Sequence, residues 1–340
     1  VPDFSLPHVM TPRLLELIAQ NAEMAAYDFH AYKEPPKNGW PEMKEVAYFG
    51  LTPGDRVKGA RAIETGRIIG EAVNHARELG NIPGGLMTPK TLSQKAVQEG
   101  KAFGFSVTVL GEAKMKALKM GAILGVSRGS TEEAQFVVME WNGSSAKRKP
   151  IVFVGKGITF DSGGLNLKPG MHMDEMHMDM IGAAAVIATL GACARLKLKE
   201  RVIGIFPAVE NMPSGQSYRP GDILHSMLGK TIEISNTDAE GRVVLADALT
   251  YAERFNPRAV VDIATLTGAA VVALGHHASG LFTKEPSFEE TLRDAGEAAG
   301  DFLWPLPMWD EYEEDVRGEV GDVLNSSRNR EAGATNGAMF

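Results

Sequence analysis

The chain has 340 residues, of which 44% are hydrophobic and 23% are charged. This composition excludes a disordered or collagen-like chain. The formal net charge of −8 argues against a general nucleic-acid or membrane-surface binder. The single cysteine, Cys193, excludes an intramolecular disulfide and a cysteine zinc finger, so we expect a protein of the reducing cytoplasm.

The first predicted elements are helical. Apolar positions recur at helical spacing over Thr11–Phe29 and again over Asp55–Arg77. We predict a remnant of an amino-terminal domain over residues 1–54, a connecting helix over 55–80 and a catalytic domain over 81–340. Because the chain lacks an initial methionine and stops within an apolar run, we expect the last domain to be incomplete at its carboxyl end.

Beyond this region, β-rich runs alternate with helical stretches. Strands are predicted over Ser106–Leu110, Gln135–Trp141, Ile151–Val154, Val202–Phe206, Thr231–Ile234 and Val260–Ala264, and helices over Gly182–Leu198 and Glu240–Phe255. Several strands are continuous apolar runs, which is typical of strands covered on both faces. The pattern predicts an α/β fold with a mixed, largely parallel central sheet and helices on both faces, plus a small partial amino-terminal region. We expect no membrane span, because no apolar stretch reaches the ~20 residues that one needs.

A glycine-rich loop directly follows the predicted strand Ile151–Val154. It carries Lys156 and Asp161 among four glycines, which allow close backbone approach. A phosphate-binding loop is excluded because Gly157, and not Ser or Thr, follows the lysine. A plain turn with a surface Lys–Asp pair is an equally open interpretation.

A second polar segment, Asn236–Arg242, lies between a predicted strand and a helix. In an extended conformation Asp238, Glu240 and Arg242 would point to one face. The alternative is a capping box, in which Thr237 and Glu240 only start the helix. That alternative gives Asp238 and Arg242 no role.

The third segment, Met173–Met180, leads into the helix predicted from Gly182. Its Asp179 could be a metal ligand or could only stabilise the helix dipole. We interpret His172 and His177 as non-ligands, because the His-Glu-x-x-His pattern is absent from the chain.

The three segments together supply Asp161, Asp179, Asp238 and Glu240. Four converging carboxylates would repel one another and could not all stay ionised. Two divalent cations held about 3.5–4 Å apart by bridging carboxylates would remove that repulsion, and such pairs catalyse hydrolysis. Spacing alone leaves the convergence undecided.

Two segments, Val154–Leu165 and Asn236–Arg242, closely resemble the signature segments of the leucyl aminopeptidase family, the dinuclear cytosol aminopeptidases. Three further segments fit the family pattern: Met173–Met176, Asp179–Ala184 and Ala264–Ala269. The resemblance implies a metal-dependent aminopeptidase that removes the amino-terminal residue, preferably leucine-like, from short peptides through a hydroxide activated by two metals.

The resemblance also implies the ligands of the two cations. Lys156, Asp161, Asp179 and Glu240 would surround one cation, and Asp161, Asp238 and Glu240 the other, so that Asp161 and Glu240 bridge. Lys156 would have to bind as a neutral amine. The oxygen and amine ligands suit Zn or Mn first, with Mg or Co as alternatives.

Further roles follow from the resemblance. Lys168 would polarise the scissile carbonyl, and Arg242 would hold a bicarbonate ion that serves as general base. Met176, Thr265 and Gly268 would line the side-chain pocket; without the resemblance, ordinary packing explains these three residues equally well. The family also implies peptide substrates, a cytoplasmic location and a homohexamer.

Two other functions compete with this interpretation. Another two-metal hydrolase, such as a phosphoesterase, is disfavoured by Lys156 and by the absence of histidine ligands. A DNA-binding role has only the basic patch Lys147–Lys149, which we interpret as a solvated loop, so nucleic acid is not an expected partner.

Overall fold

The computed structural model describes residues 11–48, 54–329 and 331–340. Its α-helices are α1 (Pro12–Ala25), α2 (Arg56–Asn81), α3 (Pro89–Phe103), α4 (Glu112–Ala117), α5 (Gly121–Ser127), α6 (Ile181–Arg195), α7 (Glu240–Ala252), α8 (Gly268–Leu274), α9 (Pro286–Ala299) and α10 (Gly333–Met339). Its strands are β1 (Ser106–Gly111), β2 (Gln135–Trp141), β3 (Ile151–Gly155), β4 (Ile158–Asp161), β5 (Val202–Asn211), β6 (Ile223–His225), β7 (Thr231–Glu233), β8 (Ala259–Ile263), β9 (Ser279–Leu281), β10 (Leu303–Pro305) and β11 (Val323–Leu324). Short 3-10 helices cover Gly170–His172, Met176–Met178, Glu253–Phe255 and Asp310–Val316.

The central sheet has the strand order β1-β2-β5-β3-β8, and β4 also pairs with β5. Strand β5 is long enough to pair with β3 along its first half and with β4 at its end. The pairs β3–β5, β3–β8 and β4–β5 are parallel, whereas β1–β2 and β2–β5 are antiparallel. The predicted mixed, largely parallel α/β sheet is confirmed.

Two apolar cores cover the two faces of this sheet. On one face, α5 and α7 pack against β3 and β5, with Val243 and Ile205 fully buried. On the other face, α3 and α6 pack against β2 and β5, with Ile187 and Phe206 fully buried. The neighbours Ile205 and Phe206 point to opposite faces because side chains alternate along a strand, so the continuous apolar sequence of β5 is what two covered faces require.

Some element boundaries differ from the predicted ones because pairing with a neighbouring strand determines where a strand ends. Strand β5 continues to Asn211, five residues beyond the predicted end, because β4 pairs with its last residues. Strand β4 lies inside the glycine-rich segment, where no strand was predicted. In the predicted amino-terminal region, residues 1–10 and 49–53 lie outside the described residues.

One helical stretch in the described ranges, Gly170–Arg195, is long and apolar enough by composition to cross a membrane. In this fold it contains α6, and 61% of its most apolar window is buried inside the protein. Such burial is typical of a core helix in a globular domain.

Candidate metal centre

The parallel strands β3, β4, β5 and β8 all end at the same edge of the sheet. Lys156 follows the end of β3, Asp161 is the last residue of β4, and Thr265 lies two positions after the end of β8. Glu240 opens α7, and Asp179 lies just before α6. Residues far apart in the chain therefore meet at this edge, where α/β proteins place their sites.

Lys156 lies at the bottom of this cluster, and only 3% of its surface is exposed. Its Nζ is 2.8 Å from Asp179 Oδ2 and 2.8 Å from Glu240 Oε1, and it donates to the carbonyl oxygen of Thr265 at 3.0 Å. The lysine stem crosses the start of α7 at Gly241, where a Cβ would lie 2.5 Å from Lys156 Cε. A side chain at position 241 would therefore displace the Lys156 side chain from this position.

The charges around Lys156 keep it protonated in this arrangement. Burial lowers the pKa of the Lys156 amine, but the carboxylates of Asp179, Glu240 and Asp161 outweigh that effect and raise it above its ordinary value. Burial in turn raises the pKa of Glu240, and the nearby Asp161 carboxylate raises it further, against the lowering effect of Lys156. The ionised form of a carboxylate in this site is therefore unfavourable where no lysine ammonium group balances its charge.

A second lysine lies on the outer side of the same cluster. Lys168 Nζ is 2.9 Å from Asp161 Oδ2 and 2.5 Å from Asp238 Oδ1. Asp161, Asp238 and Glu240 each offer one oxygen atom, and these atoms lie within 4.8 Å of one another. All five residues predicted as metal ligands, together with Lys168, thus lie in one cluster, which we call the carboxylate cage: Lys156, Asp161, Asp179, Asp238, Glu240 and Lys168.

The carboxylate cage fits a divalent cation. It contains four carboxylates and only two ammonium groups. In addition, Glu240 Oε2 is buried without a hydrogen-bond partner among the described residues. A buried carboxylate oxygen without a donor is costly unless a cation contacts it. Oxygen and amine donors are also a set that binds hard and borderline divalent ions.

Residues 74–340 match the family model described as "Cytosol aminopeptidase family, catalytic domain". The chain belongs to the cytosol aminopeptidase family. The predicted resemblance to this family is therefore confirmed.

Curated relatives agree with this membership. The chain is 48% identical to a probable cytosol aminopeptidase of Paraburkholderia phytofirmans over 314 residues, and 47% identical to one of Burkholderia mallei (strain SAVP1) over the same length. Each alignment covers 92% of this chain but only 61% and 62% of the relative, respectively, so the chain spans about three fifths of the curated relatives that it matches.

Solved structures agree as well. The bottromycin maturation enzyme BotP in complex with Mn superposes with a TM-score of 0.87 at 36% identity, covering 97% of this chain and 69% of that one. A second BotP structure gives a TM-score of 0.85, also at 36% identity, over 97% of this chain and 68% of that one.

Of the other predicted residues of this family member, one has a direct contact with the cage. Thr265 contacts it directly, because its hydroxyl donates to Asp179 Oδ1 at 2.7 Å. Gly268 opens α8 with open space where a side chain would start, and Met176 is half-buried in a short 3-10 helix. Arg242 is 8% exposed; its Nε has no hydrogen-bond partner in the described parts of the chain.

Arg242 also lines a polar cavity of about 470 Å³. The walls of this cavity include Asn236, Thr267 and Asn336, and Asn336 Oδ1 is buried without a partner among the residues described. Burial lowers the pKa of the Arg242 guanidinium, whereas Glu240 raises it. The guanidinium therefore has donors available for a ligand in this cavity.

The capping-box alternative for the second segment is wrong. The N-cap residue of α7 is Ala239. The Thr237 hydroxyl instead donates to the carbonyl oxygen of Gly163 at 2.7 Å and accepts from the Asn166 backbone N–H at 2.8 Å. Thr237 therefore joins two loops and does not start a helix.

Sequence reasoning missed the polar residues behind the cage. Asn211 Nδ2 donates to Asp161 Oδ1 at 2.8 Å, and the Tyr218 hydroxyl donates to the carbonyl oxygen of Thr237 at 2.7 Å. Asn211 is the last residue of β5, one position after Glu210, and an asparagine at the carboxyl end of a buried strand is the signal that could have identified it.

Proposed function

We propose that this chain carries the catalytic unit of a metal-dependent aminopeptidase that hydrolyses the amino-terminal residue, preferably leucine-like, from short peptides. One observation carries the proposal: Asp161, Asp238 and Glu240 each offer an oxygen within 4.8 Å of the others, beside a buried lysine. Family membership supports the reaction class, and the names of the curated relatives support the substrate class.

Two divalent cations, when bound, would supply a water of lowered pKa and would polarise the scissile carbonyl. In this proposal Lys156, Asp161, Asp179 and Glu240 hold one cation, and Asp161, Asp238 and Glu240 hold the other. Zn or Mn is the first choice and Mg or Co the alternative, because the mixed oxygen and amine donor set accommodates all four. BotP was solved in complex with Mn, which supports Mn as the first ion to assay.

Lys156 would have to lose its proton to bind a cation, because only the neutral amine has a lone pair to offer. The carboxylates that now hold its proton are the proposed ligands themselves. A divalent charge at the cage would balance the carboxylates in place of the ammonium, and its positive charge would favour the neutral amine.

Lys168 would donate to the oxyanion that develops on the scissile carbonyl. Burial lowers the pKa of Lys168, but Asp161 and Asp238 raise it further than burial lowers it, so the side chain is an ammonium at working pH. A charged donor aimed at developing negative charge is worth about 3–4 kcal/mol. The side chain keeps 15% of its surface exposed, which supports contact with a substrate.

Arg242 would hold a bicarbonate ion, which supplies a general base. The unpartnered Arg242 Nε and the polar cavity beside it support this role. The side-chain pocket is proposed to include Met176, Thr265 and Gly268. The open space at Gly268 would leave room for the side chain of the substrate's first residue.

The oligomeric state, the location and the domain division are also proposals. We propose a homohexamer in the cytoplasm, because the family resemblance implies that assembly and the curated relatives are named cytosol aminopeptidases. We also propose the division into a region over 1–54, a connecting segment over 55–80 and a catalytic domain from residue 81, in line with the family match over 74–340.

The test is hydrolysis of leucine p-nitroanilide with added Mn²⁺ or Zn²⁺. We expect activity that is lost on chelation and that falls at least about a hundredfold in Asp238→Asn, which removes a ligand charge without changing shape. Asp310→Asn, on an exposed aspartate paired with Lys284, is the matched control and should keep full activity. Activity that survives both chelation and Asp238→Asn, or a preference for phosphate esters, would overturn the proposal.

A further inference from the structure

We propose that Asn211 is a positioning residue that decides which oxygen of Asp161 faces the cations and that sets the spacing between the two ligand-bearing loops. The inference rests on the proposed metal site, and it concerns a residue outside both signature segments. Asn211 is the last residue of β5 and is fully buried.

The Asn211 amide joins the two loops through one nitrogen. Nδ2 donates to Asp161 Oδ1 at 2.8 Å and to the carbonyl oxygen of Thr237 at 2.9 Å. A side-chain amide has two N–H bonds, and both are used here. The Asn211 amide thus holds the Asp161 carboxylate of the first loop. It also holds the backbone of the second loop at Thr237, the residue directly before Asp238.

The two oxygens of Asp161 consequently have different surroundings. Oδ1 accepts from Asn211 Nδ2 and also from the Gly163 backbone N–H at 2.9 Å. Oδ2 faces Lys168 Nζ at 2.9 Å. Since Oδ1 is committed to two protein donors, Oδ2 is the oxygen that would be available to bound cations. Such outer contacts orient metal ligands and tune their affinity.

An amide suits this position better than its isosteres. Aspartate has the same shape but would place a fifth carboxylate against Asp161 and could not donate when ionised. Leucine is of similar size but would leave Asp161 Oδ1 with one donor fewer in a buried site. Asparagine supplies both donors and adds no charge.

The experiment compares Asn211→Leu with Tyr218→Phe. Both variants remove a buried donor to the carbonyl oxygen of Thr237, but only Asn211 also donates to Asp161. Mn²⁺ is titrated into the metal-free chain by calorimetry, and electron paramagnetic resonance records the coupling between two bound ions. We expect Asn211→Leu to lose at least about tenfold in affinity for one ion and to lose the coupling signal, whereas Tyr218→Phe stays within about twofold of the wild type.

A third variant keeps the test decisive if the leucine does not fold. Asn211→Asp preserves shape and adds a negative charge, which by attraction alone would tighten Mn²⁺ binding. We expect weaker binding by at least about tenfold, because the lost donors and the new repulsion turn the Asp161 carboxylate. Tighter binding in Asn211→Asp, wild-type affinity in a folded Asn211→Leu, or an equal loss in Tyr218→Phe would each overturn the inference. A wild-type chain that binds no Mn²⁺ would instead overturn the proposed metal site itself.

Discussion

The Thr237 hydroxyl donates to the carbonyl oxygen of Gly163 at 2.7 Å, and this hydrogen bond ties the two signature loops together. Asn166 adds two more hydrogen bonds between the loops. Its backbone N–H donates to the Thr237 hydroxyl at 2.8 Å, and its side-chain oxygen accepts from the Thr237 backbone N–H at 2.9 Å. Thr237 is fully buried. The two loops that carry cage carboxylates are therefore joined by neutral groups that are not members of the cage.

Replacing this hydroxyl should weaken both the fold and the cage. Thr237→Val keeps the shape but leaves buried polar groups without partners, so we expect a loss of about 1–3 kcal/mol in the free energy of unfolding, measured by urea denaturation. We also expect weaker Mn²⁺ binding by calorimetry. Thr159→Val is the control, because Thr159 is equally buried and, within the described parts of the chain, its hydroxyl donates to the carbonyl oxygen of Val209 in β5. Equal Mn²⁺ affinities in the two variants would contradict the prediction.

The backbone at Gly163 allows a second comparison. Gly163 has φ of +85°, and a Cβ there would lie 2.5 Å from the carbonyl oxygen of Asn166 and 2.9 Å from Asp238 Oδ1. Gly104 has a similar φ of +79° with open space around it. Both alanine variants should lose about 1–2 kcal/mol of stability from the left-handed backbone. Gly163→Ala should lose more than Gly104→Ala, because its Cβ would also press on the Asn166 carbonyl oxygen.

Only Gly163→Ala should also displace the Asp238 carboxylate, and we expect its kcat on a leucyl substrate to fall about a hundredfold. Gly104→Ala should retain wild-type kcat at a temperature where it is folded. A similar kcat in both variants would show that the contact with Asp238 does not matter for the reaction.

A substitution at Lys168 should affect the rate of the reaction without weakening metal binding. Lys168→Met removes the proposed oxyanion donor, so we expect kcat to fall about 10²–10³-fold. Mn²⁺ affinity should hold or rise, because the ammonium no longer competes for Asp161 and Asp238. Steady-state kinetics and calorimetry measure the two effects. Lys284→Met, on an exposed lysine, should change neither, and a parallel loss of kcat and metal affinity in Lys168→Met would refute this role.

Asp247 should give the chain a distinct pH dependence of stability. Burial raises the pKa of this carboxyl to about 6, although the backbone N–H groups of Met227, Ile123 and Ala122 donate to it. The folded pKa lies above the unfolded value of 3.8. Between these pH values the folded state therefore binds more protons, and stability falls as pH rises through about 6.

The variant Asp247→Asn cannot titrate, so the difference in unfolding free energy between wild type and variant isolates this carboxyl. We expect the wild type to lose roughly 2 kcal/mol relative to the variant between pH 4 and pH 7, read from urea midpoints. Asp310→Asn, on an exposed carboxyl, should show no such fall. A constant difference between wild type and Asp247→Asn would contradict the prediction.

The sequence by itself determined the fold class and the family. Continuous apolar runs such as Ile151–Val154 predict strands covered on both faces, because burial of apolar surface dominates the choice of layer. The segments Val154–Leu165 and Asn236–Arg242 are specific enough to identify the family and to name the candidate ligands. Neither inference needs a contact between residues that are distant in the chain.

Only the tertiary structure decided which groups meet. Asp161, Asp179 and Glu240 converge because the parallel strands β3, β4, β5 and β8 end at one edge of the sheet, and spacing along the chain does not report that register. The local pattern around Thr237 was compatible with a capping box, and a carbonyl oxygen 74 positions earlier decided otherwise. Asn211 belongs to no local motif, since its role lies entirely in partners from two other loops. Hydrogen bonds in a buried site are set by whichever donors and acceptors the packed chain brings within about 3 Å, and a single sequence does not contain that information.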